Sequence, residues 1–137
     1  MSPLLLDTNA AIWIMQDKPV ARAAQGAIDA GLESSTGVFV SPITAWEVGQ
    51  LVSRNRLNLL ATPRGWFERL LAIPGMRLAE LSPEILIAAS FLPGKPPNDP
   101  ADRILIATAR ELAATLVTRD REMLAYGEQG NVSVLEC

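Results

Sequence analysis

Histidine is absent from the 137-residue chain, and the one cysteine is the last residue, Cys137. Without imidazole there is no Ser-His-Asp triad, no Cys-His pair, no histidine general base and no His-ligated zinc. A single thiol at the chain end cannot form an internal disulfide and offers little to thiolate chemistry. Lysine is scarce: only Lys18 and Lys95 accompany the arginines. The net charge is −3, so no global positive field draws in nucleic acid, and such binding would need a local basic patch. No apolar run approaches the ~18 residues of a membrane span. Asp7 interrupts the first apolar run, and no basic leader precedes it, so no secretory signal is expected. A reducing cytoplasm is the natural setting. Chemistry is left to carboxylates, hydroxyls, arginines and hard metal ions.

What is present is apolar and patterned. Hydrophobic residues make up 49% of the chain, enough for one domain over residues 1–137 with a real core. Leu4–Leu6 reads as a buried strand that ends abruptly in Asp7 and Thr8. A helix is expected over Thr8–Gln16. A second is expected with Pro19 in its first turn and Gly31 as its stop. Gly37–Val40 reads as a strand, and Ser41–Pro42 caps a helix to about Arg54. On that helix Trp46, Val48 and Leu51 belong to a broad apolar surface, packed on several sides. Glu47, Gln50 and Arg54 form a narrow polar strip, either a solvated edge or the wall of a cleft. Thr62–Pro63 and Ser82–Pro83 repeat the cap-plus-proline device, with a weak strand at Met76–Glu80 between their helices. Pro93–Asn98 is a surface loop leading to a helix through Leu112. Thr115–Thr118 is a strand, a short helix runs through Tyr126, and Val132–Leu135 is the last strand. Strands alternating with helices imply an α/β fold with a mainly parallel sheet covered on both faces.

Four acids follow strands or open helices: Asp7, Glu47, Asp102 and Asp120, with Asp99 as a possible fifth. Each has an ordinary use. Asp99 and Asp102 stand nearly as a capping box, Arg103 lies within pairing distance of Asp99, and Asp120 complements a helix dipole. In a parallel sheet, however, the acids after successive strands emerge on one edge. Like charges ~5 Å apart repel by roughly 3 kcal/mol at an effective dielectric of 20. Such a cluster raises its own pKa values or recruits cations. Oxygen-only donors point to Mg²⁺ or Mn²⁺, which can activate water and stabilise a phosphodiester transition state.

Four segments together resemble the PIN-domain family, and within it the VapC-type toxin ribonucleases. Leu5–Leu6–Asp7–Thr8 is similar to its opening LLDT strand. Ser41–Pro42 through Glu47, with Gly49, Arg56 and Leu57, is similar to its S…WE…GRL helix. Asp99–Pro100–Ala101–Asp102–Arg103 with Ile104–Ala109 resembles DPxDRxLIAxA, and Leu116–Asp120 resembles LVTxD. The resemblance implies a three-layer α/β/α fold and a metal-dependent endoribonuclease. It matches Asp7, Glu47, Asp102 and Asp120 to the catalytic, metal-binding quartet and Thr118 to a supporting hydroxyl. Thr8 lies beside the first acid, and Asp99 and Arg103 match less central positions. Many relatives carry His where Asn9 stands, or in the loop at Pro96–Asn98, which bears on substrate or partner contacts rather than on the four acids.

The resemblance also implies an RNA substrate, a small VapB-type antitoxin and a homodimer, with no membrane. The helix around Trp46 and the Trp66–Phe67 pair are candidate partner surfaces. Arg103 and Arg110, seven residues apart on one helix face, are candidate RNA contacts, as are Arg54, Arg56 and Arg119. A phosphoaspartyl receiver is excluded because Asp7 has no adjacent acid and Lys95 lies in a Pro-rich loop. A haloacid-dehalogenase-type phosphatase is excluded by Asn9. The alternative that stays open is an inactive PIN-like module acting by protein or RNA binding only.

Overall fold

Three consecutive leucines, Leu4–Leu6, form β1, the middle strand of a five-stranded sheet. The computed structural model describes residues 2–137. With β2 (Val38–Val40), β3 (Met76–Leu78), β4 (Thr115–Thr118) and β5 (Ser133–Glu136), the sheet order is β3-β2-β1-β4-β5. All four pairings are parallel. A strand buried on both faces reads as an unbroken apolar run rather than an alternating one, as β1 does.

Register divides the core into two layers. Leu4 and Leu6 stand opposite Val38 and Val40 on β2, and Leu6 opposite Val117 on β4. These side chains share one apolar cluster with α1 (Thr8–Met15), α2 (Arg22–Glu33), α3 (Pro42–Ser53) and α4 (Pro63–Ala72), through residues such as Ala11, Ile28, Val48 and Leu70. Leu5 and its neighbour Leu116 point the other way. They meet α5 (Pro83–Ser90), α6 (Pro100–Leu112) and α7 (Arg121–Glu128) through Ile85, Leu105 and Met123. The chain winds outward from β1 to β3, then returns to β4 and β5. Crossovers of one hand therefore place the earlier helices on one face and the later ones on the other. The reversal lies between β1 and β4, and the crevice beyond the carboxyl ends of such a pair is where ligands bind in open α/β sheets.

Two helix boundaries depart from expectation. Helix α2 opens at Arg22, not in the turn of Pro19. The Ala21 N–H instead donates to the Cys137 carbonyl at 2.9 Å, tying this segment to the end of the chain. Gly31 lies inside α2 rather than stopping it. A Cβ there would sit 2.9 Å from Val38 Cγ2, so the glycine serves the close approach of helix to strand. On α3 only Thr44 and Val48 are fully buried, so that helix is less enclosed than its apolar surface suggests. Trp66 is buried against the first layer, 6.4 Å from Phe67 between ring centroids, and is core rather than partner surface. Among the described residues, no helix is long and apolar enough to cross a membrane.

Candidate active site

Helix starts build the site. Asp7 ends β1 and caps α1: its Oδ1 accepts from the Ala10 N–H at 2.7 Å. Its Oδ2 accepts from the Thr118 hydroxyl at 2.6 Å, across the β1–β4 seam. That same Thr118 oxygen accepts from the Asp120 N–H at 3.0 Å. Asp120 caps α7 by accepting from the Met123 N–H at 3.0 Å. Asp99 caps α6 by accepting from the Asp102 N–H at 3.0 Å. Capping and a cleft position therefore coincide in one set of residues. Each cap fixes a carboxylate at the positive end of a helix.

Glu47, on the second turn of α3, is held by a hydroxyl chain. The Thr8 hydroxyl donates to Glu47 Oε1, and Thr8 Oγ1 lies 3.1 Å from Thr44 Oγ1. A hydroxyl carries one proton. With that of Thr8 committed to Glu47, Thr44 donates to Thr8. Among the described residues, no buried side-chain nitrogen or oxygen lacks a partner.

The cleft encloses about 350 Å³. Asp7, Glu47, Asp99, Asp102 and Asp120 line it, with Thr8, Asn9, Trp46, Gln50, Arg54 and Arg56. Three of the acids are pushed upward in pKa. Burial raises Asp7, and the Thr118 hydrogen bond partly opposes it. Burial raises Glu47 against its bond from Thr8. Asp102 rises from 3.8 to about 7, first by burial and then by the charges of Asp99, Asp120, Glu47 and Asp7. Among the described residues, no three acid or thiol side chains close around one point as a ready-made metal cage. The donors are nonetheless all hard oxygens with excess negative charge. That fits a cation such as Mg²⁺, which keeps several waters and takes only one or two carboxylates directly.

The expected basic residues separate into two groups. Arg54 and Arg56 line the cleft. Arg103 does not: its Nε and Nη1 donate to the Ala89 and Pro97 carbonyls, both at 3.0 Å, not to Asp99. Arg110 donates to the Asn131 carbonyl near the opposite end of the sheet. Arg119 donates to the Cys137 carbonyl at 2.8 Å and lies 4.1 Å from the centroid of the Trp13 ring. The polar strip Glu47–Gln50–Arg54 does face the cleft. Thr44 escaped the sequence reading, although a buried hydroxyl three residues before Glu47 on an apolar helix was a usable signal. Trp46, expected on a surface packed by the core or by a partner chain, is 58% exposed and lines the cleft wall.

Known proteins share this fold. The chain is 30% identical to Ribonuclease VapC22 of Mycobacterium tuberculosis over 135 residues, 98% of this chain and 99% of that one. It superposes on a chain of the Rickettsia felis VapBC2 complex bound to a promoter DNA fragment. The TM-score is 0.70 at 15% identity, covering 98% of each chain. A toxin–antitoxin complex from Klebsiella pneumoniae gives 0.62 at 22% identity, over 96% of this chain and 95% of that one. Residues 4–129 match the PIN domain, from β1 and its terminal Asp7 through the last helix, so the chain belongs to the PIN-domain family.

Proposed function

We propose that the protein is a metal-dependent endoribonuclease, the toxin of a VapBC-type toxin–antitoxin pair acting in the cytoplasm. The observation that carries this reading is the convergence of Asp7, Glu47, Asp102 and Asp120 on one cleft at the β1–β4 reversal. Similarity to Ribonuclease VapC22 over nearly the full length supports RNA as substrate. The toxin–antitoxin neighbours support a VapB-type partner. Exposed Leu86, Ile87 and Phe91 offer apolar surface that a protein partner, antitoxin or second copy, would cover.

Asp7, Glu47, Asp102 and Asp120 would hold Mg²⁺ or Mn²⁺, partly through water. Bound there, the ion supplies acidification of water and neutralisation of phosphodiester charge. The chain supplies the rest. Thr118 and the Ala10 N–H lock the Asp7 carboxylate, and Thr8 fixes Glu47. Asp102, whose charge is disfavoured by burial and by the neighbouring acids, is a carboxylate that a bound cation would relieve. Arg54 and Arg56 counter the repulsion between an acidic cleft and an anionic substrate.

The test is cleavage of total cellular RNA by partner-free protein with Mg²⁺ or Mn²⁺, with EDTA, and with Asp7→Asn. Discrete products that require both the metal and Asp7 are expected, from a variant that still folds and binds its partner. An active Asp7→Asn would overturn the mechanism. Folded protein inert in every metal would leave a binding module instead.

A further inference from the structure

Trp46 is an anomaly of the cleft wall. A large aromatic ring stands 58% exposed next to Glu47, while the other two tryptophans are buried or half-buried. Trp46, Gln50 and Arg54 follow one another at intervals of four along α3 and its C-terminal cap, and all three line the cleft. Residues four apart share a helix face. The stripe is therefore continuous, about 12 Å from first to last at 1.5 Å per residue. It presents an aromatic face beside the acids, then an amide, then a guanidinium, with Arg56 beyond.

We propose that this stripe is the track for the nucleotides flanking the scissile phosphate, with Trp46 stacking on an unpaired base. The inference rests on the ribonuclease reading. An indole face stacks on any base, Gln50 offers both a donor and an acceptor to a base edge, and Arg54 meets the following phosphate. The order fits the site electrostatics. The acidic end repels phosphate and needs an uncharged contact, which a ring provides. The cations lie further out, where they attract the backbone without neutralising the carboxylates. Duplex RNA cannot present an unstacked base, so Trp46 selects for loops and single strands. It is a specificity-determining residue, distinct from the four acids.

The experiment reads binding and cleavage separately. Affinity for a labelled mixed-sequence 12-nucleotide RNA is measured, single-stranded and annealed to its complement, on an Asp7→Asn background. Trp46→Ala and Trp46→Leu are expected to weaken single-strand binding by about 10-fold or more. Trp46→Phe should retain most of it, and duplex binding should change little. With Asp7 intact, Trp46→Leu should lower kcat/KM on cellular RNA and blur its cleavage pattern. Thermal melts should stay level, because the ring is exposed. Equal binding by Trp46→Leu and wild type would overturn the proposal, as would a loss shared equally by the Phe and Leu variants. A changed oligomeric state with unchanged RNA binding would assign Trp46 to a protein interface and also overturn it. If wild type cleaves and Trp46→Leu cleaves identically, the track fails while the nuclease reading stands. If nothing cleaves, the nuclease reading fails, and the oligonucleotide still decides the track.

Discussion

Thr8 has one hydroxyl proton and spends it on Glu47, so Thr44 must donate to Thr8. Thr44 is fully buried and reaches the cleft only through Thr8. A buried carboxylate that loses its donor is further disfavoured as an anion. Thr8→Val should therefore raise the Glu47 pKa beyond its already elevated value, moving the acid limb of the cleavage pH profile upward. Thr44→Val should move it the same way by less. It leaves the Thr8–Glu47 bond in place but frees Thr8 to rotate. Thr8→Val, which strands the buried Thr44 hydroxyl, costs about 1–3 kcal/mol of stability, and Thr44→Val costs less because it leaves no polar group unpaired. Because Thr44 acts through Thr8, the double variant should be no worse in cleavage than Thr8→Val alone. Additive losses across that cycle would show that Thr44 serves something other than Glu47.

Helix ends are where local chemistry speaks most clearly. Ser41, Thr62, Ser82 and Asp99 each precede a proline, and each caps the helix that follows. The C-terminus of α6 is less well served. Ala113 sits at φ 51°, ψ 38°, in the left-handed region that suits glycine. Its side chain is exposed. Ala113→Gly should stabilise the fold by about 0.5–1 kcal/mol, the strain relieved exceeding the entropy added to the unfolded chain. A Tm rise of roughly 2–4 °C is expected, and an unchanged or lower Tm would contradict it. The same contrast explains what could be read before the fold was known. Caps, prolines and apolar runs are local, so β1, α3 and α6 and the acids they carry were legible. The start of α2 was not, because the Cys137 carbonyl, 116 positions away in sequence, claims the Ala21 N–H. The role of Arg103 was not, because its guanidinium answers to carbonyls at Ala89 and Pro97. Nor was the place of Trp46 on the cleft wall, since a helical wheel shows which residues share a face and not what each face meets.

Across the whole molecule, β1, α3, α6 and the end of β4 deliver acids to one cleft, and the fold bears the cost of their repulsion. Asp102 registers it, with a pKa raised from 3.8 to about 7 by burial and four neighbouring carboxylates. When a native pKa exceeds the unfolded one, the native state binds more protons between the two values, so stability falls as pH rises through that interval. The contribution of Asp102 is full below about pH 4 and lost by about pH 7, with Asp7 and Glu47, also raised, adding in the same direction. In EDTA the protein should therefore melt lower at pH 8 than at pH 5. Asp102→Asn should remove part of that slope. At about 1.4 kcal/mol per pKa unit the full shift is worth roughly 4 kcal/mol, but solvent at the cleft mouth screens it, leaving a gain of about 1–2 kcal/mol at pH 8. Mg²⁺ should act on the same charges from the other side. At 100 times its Kd it should stabilise the wild type by about 2.7 kcal/mol, most strongly at high pH, where the carboxylates are ionised. Asp102→Asn should gain less from it. Melts at pH 5 and pH 8, with EDTA and with Mg²⁺, read all four quantities. A wild type that is more stable at pH 8 without metal, or a variant that responds to Mg²⁺ as strongly as wild type, would mean that Asp102 neither carries the strain nor helps hold the ion.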